Sequence, residues 1–207
     1  MTGAFIALAI ICAYLIGSIP SAYIAGRLRK GTDIRQVGTR NMGAMNVFYA
    51  VGFAAGILVL AVDIGKGAAA VALARYLGVP EIVQLLAGVA AVLGHGFPIF
   101  LNFRGGKGGA TSLGILFFLM PWGIPFCVAI FGIILLITRY PTLSYSVALL
   151  CFPFIAWFIY HRWELAVFSV GLLVLLLVRY IPRIKEMRAK AGSWQYVVRR
   201  RSLQDRF

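Results

Sequence analysis

Seven apolar runs alternate with short polar connections along the chain: Gly3 to Ala25, Val51 to Leu77, Ile82 to Phe100, Thr111 to Pro121, Gly123 to Ile137, Leu143 to Tyr160 and Leu165 to Ile181. About 20 apolar residues make one membrane span. The stretch from Thr111 to Ile137 admits either one long kinked helix or two helices, and Pro121, Gly123 and Pro125 together predict a tight reversal that splits it. The second run reaches roughly 40 Å as a helix, longer than a hydrocarbon core, so it must tilt or begin in the interface. The pattern predicts an all-α fold, a polytopic integral membrane protein with seven transmembrane helices.

Composition agrees with this pattern. With 61% hydrophobic side chains and a mean hydropathy of +0.91, the 207 residues carry more apolar surface than a soluble domain of that size can bury. The first run exceeds the h-region of a signal peptide and has no basic n-region before it, so it reads as a retained span. Cys12, Cys127 and Cys151 are widely spaced within apolar runs, which points to small core residues and to no metal site.

The net charge of +14 changes meaning once the basic residues are located. Five of the 20 Lys and Arg fall between Arg27 and Arg40, two at Arg104 and Lys107, one at Arg139 and nine from Arg179 to Arg206. Only Arg75 and Arg162 lie on the opposite side, and Lys66 lies within a run. This asymmetry places the N-terminus outside and the C-terminus in the cytoplasm. The charge is therefore largely topological, and no nucleic-acid partner is expected. Residues 1–181 are expected to form a single transmembrane helical domain with inner loops 26–50, 101–111 and 138–143. Residues 182–207, ending in RRRSLQDRF, are expected to form a basic cytoplasmic tail against anionic lipid. No internal repeat is present, which argues against a transporter built from inverted halves.

Three inner loops are richer in chemistry than connections require. The first reads DIRQVGTRNMGAMN, Asp33 to Asn46; the second NFRGGKGGATSLG, Asn102 to Gly114, preceded by GHGFPIF; the third TRYPTLSYS, with Arg139 beside hydroxyls. Glycine allows close backbone approach to an anion, and a following helix N-terminus adds favourable partial charge. The amides from Gly105 to Gly109, with Lys107, are thus expected to cradle a phosphate. The spacing is not that of a Walker A loop, because Gly108 occupies the Ser/Thr position. His95 is the one histidine near these loops and reads either as a satisfied structural group or as a catalyst. Asp63 and Lys66 share a helix face inside the second run; they read either as a buried orienting pair or as part of a functional site.

In their order along the chain, GTRNMGAMN, DIGKG, GHGFPIFLNFRGGKGGAT and TRYPTLS resemble the bacterial acyl-phosphate:glycerol-3-phosphate acyltransferase family (PlsY type) from Gly17 to about Ser144. The resemblance implies a membrane acyltransferase of the bacterial inner (cytoplasmic) membrane. Such an enzyme moves a fatty acyl group from acyl phosphate to the 1-hydroxyl of glycerol 3-phosphate, giving lysophosphatidic acid in phospholipid biosynthesis, with no cofactor and no metal. It implies catalytic roles for Thr39, Asn41, His95 and Lys107. Phosphate contacts are implied from Arg35, Gly38, Gly43, Asn46, Lys66, Arg104, Gly105, Gly106, Gly108, Thr111 and Arg139, with Asp63 orienting. The base is either His95 or the donor's own phosphate. The chain departs from the family pattern at Thr39 (serine), Arg40 (glycine), Met45 (threonine), Tyr49 (arginine), Tyr180 (histidine) and Arg183 (asparagine), which leaves open a paralogue with a different acceptor. An organophosphate transporter is the alternative from another class.

Overall fold

The computed structural model describes residues 3–194, so the tail RRRSLQDRF lies outside the described residues. Every described regular element is helical, and five helical stretches are long and apolar enough to cross a membrane. Each predicted apolar run is helical, but two are too short to rank with those five: Gly109–Leu119 and Gly123–Thr138. An 11-residue helix rises only about 17 Å. The expected break is present, since the helix ends at Leu119 and the next starts at Gly123. The chain divides into two compact units, Met1–Leu119 and Met120–Phe207.

The first unit holds α1 (Gly3–Ser18), α2 (Ser21–Lys30), α3 (Ala44–Ala50), α4 (Phe53–Tyr76), α5 (Glu81–Gly96) and α6 (Gly109–Leu119). The first predicted span is interrupted at Pro20, which has no N–H to continue the helical ladder, and α2 then runs on to Lys30. An alanine-rich core joins α1, α4 and α5 through Ala9, Ala13, Ala70, Ala74, Ala87 and Ala91, all inaccessible to solvent. Small residues let helix backbones touch, as membrane packing favours. A Cβ on Gly67 would run into the Thr111 carbonyl, and one on Gly114 into the Ile64 carbonyl, so α4 and α6 meet backbone to backbone. Outward-facing residues such as Ile11, Leu58 and Phe53 are large and exposed, the surface that a lipid solvent covers.

The first inner loop is folded onto this unit. Ile34 and Met42 are buried with Ala22, Val47 and Val59, so two apolar side chains anchor an otherwise polar segment. A 3-10 turn at Ile34–Gln36 starts on the Asp33 side chain, which accepts from the Arg35 amide at 2.9 Å.

The second unit holds α7 (Gly123–Thr138), α8 (Pro141–Ala148), α9 (Cys151–Phe158) and α10 (Trp163–Ala191). The predicted Leu143 to Tyr160 run is one of the five crossing stretches, Pro141–Phe158, interrupted between α8 and α9, where Pro153 lacks an N–H and its ring crowds the carbonyl four residues earlier, at Leu149. The helix boundary expected at Ile181 is absent: α10 continues through Pro182 to Ala191. Its continuation is held by Tyr180, Ile184 and Met187, which pack with Tyr140 and Leu143. The Tyr140 hydroxyl shares a 2.6 Å hydrogen bond with Tyr180 and donates to Met187 Sδ at 2.9 Å.

Candidate active site

Three segments of the first unit converge at Gly106. A Cβ at this position would run into His95 Nε2 and the Met42 carbonyl, so the second loop, the end of α5 and the first loop are in contact there. Only a glycine fits between an imidazole edge and a carbonyl at such range. A second tie joins the same loops: Arg35 Nη1 donates to the Leu101 carbonyl at 3.3 Å.

The glycine-rich loop corrects one expectation. The Gly105 amide donates to the Gly96 carbonyl at 3.1 Å and the Gly106 amide to the His95 carbonyl at 3.0 Å. These two N–H groups are consumed in folding the loop back on the end of α5. Gly105 and Gly106 therefore serve close packing, and the amides left outside such bonds lie downstream. The first helical bond of α6 runs from Ser112 N to the Gly108 carbonyl at 2.8 Å, so the amides of Gly109, Ala110 and Thr111 precede the ladder. Beside them, Thr111 Oγ1 and Ser112 Oγ are buried with no hydrogen-bond partner among the described residues. Lys107 precedes this turn and is half-buried; Arg104 is exposed; Gly108 takes a left-handed φ of 93°.

In the first loop Asn46, expected to contact phosphate, has its side chain bonded within the chain. Its side chain is 1% exposed; Nδ2 donates to the Ile34 carbonyl at 2.9 Å and the Val37 carbonyl at 3.0 Å, and Oδ1 accepts from the Thr39 amide at 2.9 Å. The chain winds around this amide, and Gly38, at φ 58°, has its missing Cβ where Asn46 Oδ1 sits. Thr39 and Asn41 are thereby held half-buried, with Asn41 Nδ2 against Gly43. Arg40 adopts a left-handed φ of 57°, which accounts for a glycine at this place in the resembling pattern.

Arg35 is likewise occupied: it pairs with Asp33 at 2.7 Å and stacks over the Tyr23 ring. The guanidinium holds the Asp33 carboxyl below its ordinary range. Asp33 was not foreseen; its place two residues before Arg35 was the available signal.

Asp63 and Lys66 are buried, 1% and 5% exposed, and paired at 2.8 Å. Asp63 Oδ1 also accepts from Ser21 Oγ at 2.6 Å and stands 3.7 Å from His95 Nδ1. Lys66 Nζ donates to the Ile19 carbonyl at 3.2 Å, a group that the break at Pro20 takes out of the helical ladder. Lys66, expected to contact phosphate, is thus held in a buried network within the chain. The role of Ser21 was invisible in sequence, since it lies 42 positions from Asp63. Arg139 belongs to the second unit, where it caps α7 with a left-handed φ of 52° and is exposed.

The glycerol-3-phosphate acyltransferase family model matches residues 7–190. The chain belongs to that family. Among curated relatives it is 53% identical over 186 residues to glycerol-3-phosphate acyltransferase 2 of Dehalococcoides mccartyi (strain ATCC BAA-2266 / KCTC 15142 / 195), covering 90% of this chain and 89% of the relative. It is 45% identical to the glycerol-3-phosphate acyltransferase of Bacillus subtilis (strain 168), with 88% and 93% covered. The crystal structure of PlsY (YgiH), an integral membrane glycerol 3-phosphate acyltransferase, in its glycerol 3-phosphate form, superposes with a TM-score of 0.82 at 31% identity, covering 98% of this chain and 95% of that one. Its lysophosphatidic acid form gives a TM-score of 0.76 at 28% identity. As a family member, the chain is an integral membrane protein of the acyltransferase fold.

Proposed function

We propose that this protein is a membrane acyltransferase that moves a fatty acyl group from acyl phosphate to the 1-hydroxyl of glycerol 3-phosphate, releasing phosphate and lysophosphatidic acid. The observation that carries the site assignment is the convergence at Gly106 of the first loop, His95 and the Lys107 turn. An acyl phosphate is a mixed anhydride with a good leaving group, so a substrate hydroxyl can attack directly. The protein's task is to neutralise charge, orient the partners and exclude water.

One phosphate is assigned to Lys107, the leading amides of α6 and the Thr111 hydroxyl, which is buried with no partner among the described residues. Thr39 and Asn41, fixed by the Asn46 turn, face the other substrate. The hydroxyl oxygen bonds to the acyl carbon, the bond to phosphate breaks, and phosphate leaves with the electron pair. The hydroxyl proton passes to His95 or to the departing phosphate. The acyl chain reaches the site from the bilayer, which is why the chemistry is housed among lipid-facing helices. The Lys and Arg distribution supports seven crossings with the N-terminus outside and location in a bacterial inner membrane.

Purified protein incubated with palmitoyl phosphate and labelled glycerol 3-phosphate is expected to form lysophosphatidate. Phosphate release only with other alcohols would assign a different acceptor, and no turnover with any acceptor would overturn the enzyme reading. Lys107→Ala is expected to abolish turnover while leaving expression intact; near-normal rates would remove the loop from the site.

A further inference from the structure

One guanidinium joins three segments of the first unit. Arg35 grips the Asp33 carboxylate, with Nη2 donating to Oδ2 at 2.7 Å and Nε to Oδ1 at 3.0 Å, while Nη1 crosses to the Leu101 carbonyl at 3.3 Å. The guanidinium also stacks over the Tyr23 ring of α2 at 5.3 Å, and Arg27 Nε steadies that ring by donating to its hydroxyl at 3.1 Å. Asp33 in turn accepts from the Arg35 amide at 2.9 Å and is buried, so one carboxylate fixes both ends of the arginine. On the far side, the amides of Phe103, Arg104, Gly105 and Gly106 donate in succession to the carbonyls of Pro98, Leu101, Gly96 and His95, which folds the glycine-rich loop back. Leu101 thus receives both Arg35 and the turn that opens this fold.

We propose that Asp33 and Arg35 form a clamp of positioning residues that sets the first loop, with Thr39 and Asn41, against the loop of Lys107. A planar fork can engage a carboxylate through two donors and keep a third for a carbonyl, a geometry that an ammonium cannot copy. The clamp is relayed to Thr39 through Asn46, which donates to the carbonyl of Ile34, next to Arg35, and accepts from the Thr39 amide. The charge of Arg35 is neutralised by Asp33, so it acts on the substrates through the loops and not by contact. The kinetic part rests on the acyl-transfer reading above, whereas the clamp geometry does not.

Hydrogen exchange followed by mass spectrometry over residues 98–107 reads the clamp without turnover. Arg35→Ala is expected to speed exchange there about tenfold, the factor for one lost hydrogen bond to a charged group. It is also expected to lower kcat with palmitoyl phosphate and glycerol 3-phosphate about 100-fold, the scale of a displacement of about 1 Å. KM should stay within about twofold of the wild type, since no substrate contact is lost. Asp33→Asn supplies the deciding sign, because it leaves Arg35 in place and releases its charge. The clamp predicts faster exchange and lower kcat in this variant, whereas a phosphate-binding Arg35 predicts lower KM and undisturbed exchange. Arg35→Lys keeps the charge without the fork and is expected to recover little kcat; with Asp33→Asn it decides the matter where Arg35→Ala does not fold. Arg29→Ala removes an exposed cation outside this network and is expected to behave as the wild type. Equal losses there would reduce the effect to net charge and overturn the proposal. Unchanged exchange in the Arg35 and Asp33 variants, faster exchange with kcat untouched, or full rescue by lysine also overturns it. A wild type whose loop protection is lost in Arg35→Ala, yet which turns over no acceptor, would refute the acyl-transfer reading while sustaining the clamp.

Discussion

Replacing Asn46 separates a ligand from an organiser. The side chain makes three hydrogen bonds, to the Ile34 and Val37 carbonyls and from the Thr39 amide, the first buried and the other two partly buried. At about 1 kcal/mol each, with two carbonyls and one amide left unsatisfied, Asn46→Ala should cost about 3 kcal/mol. The same change frees the Gly38 to Thr39 turn. A displacement of about 1 Å of a substrate-positioning group costs about 100-fold in rate, so kcat should fall by that order even where the variant remains folded. Reversible unfolding in mixed detergent micelles measures the first quantity, and initial rates with palmitoyl phosphate the second. If Asn46 were instead a phosphate ligand, its loss would raise KM and leave stability near that of the wild type. A stability change below about 0.5 kcal/mol together with a KM effect would refute the organiser role.

Gly106→Ala places a methyl against the His95 ring and the Met42 carbonyl, and overpacking of this kind costs about 1–3 kcal/mol. A loss of turnover larger than that of the neighbouring Arg104→Ala, compared in one assay, is the expected result. Asp33 bears on acid stability: its carboxyl is held below the ordinary value of 3.8 by Arg35, so its contribution is full above that pH and disappears as pH falls through the lower folded value. Asp33→Asn should therefore flatten the acid limb of a stability profile below about pH 4 and change its slope little above it. In the second unit, Tyr180→Phe removes the 2.6 Å bond to Tyr140 and should cost about 1 kcal/mol, measurable as a lowered midpoint in a thermal shift assay.

The apolar runs located the helices because membrane insertion requires every backbone polar group to be satisfied within its own segment. Loop composition likewise marked Thr39, His95, Lys107 and Thr111, since dense glycine with basic and hydroxyl residues is a local property of the chain. Helix length in the middle of the chain was less legible: the runs were visible, but α6 has only 11 residues. Nor did the pattern show α10 continuing past Ile181, because its support comes from Tyr140, 40 positions away from Tyr180.

The roles of individual polar residues were decided in three dimensions. Sequence placed Gly105, Gly106, Asn46, Arg35 and Lys66 among the groups awaiting a phosphate. Folding gives each of them a partner from within the chain: the carbonyls of His95 and Gly96, the turn around Thr39, the carboxylates of Asp33 and Asp63. A buried donor without a partner is costly, so close packing resolves which polar groups are consumed in building the site. Composition and periodicity therefore determined that this chain is a membrane helical protein, and loop composition marked where anionic groups were to be expected. Only the tertiary structure showed which side chains hold those loops in place, because that depends on contacts between residues far apart in the chain.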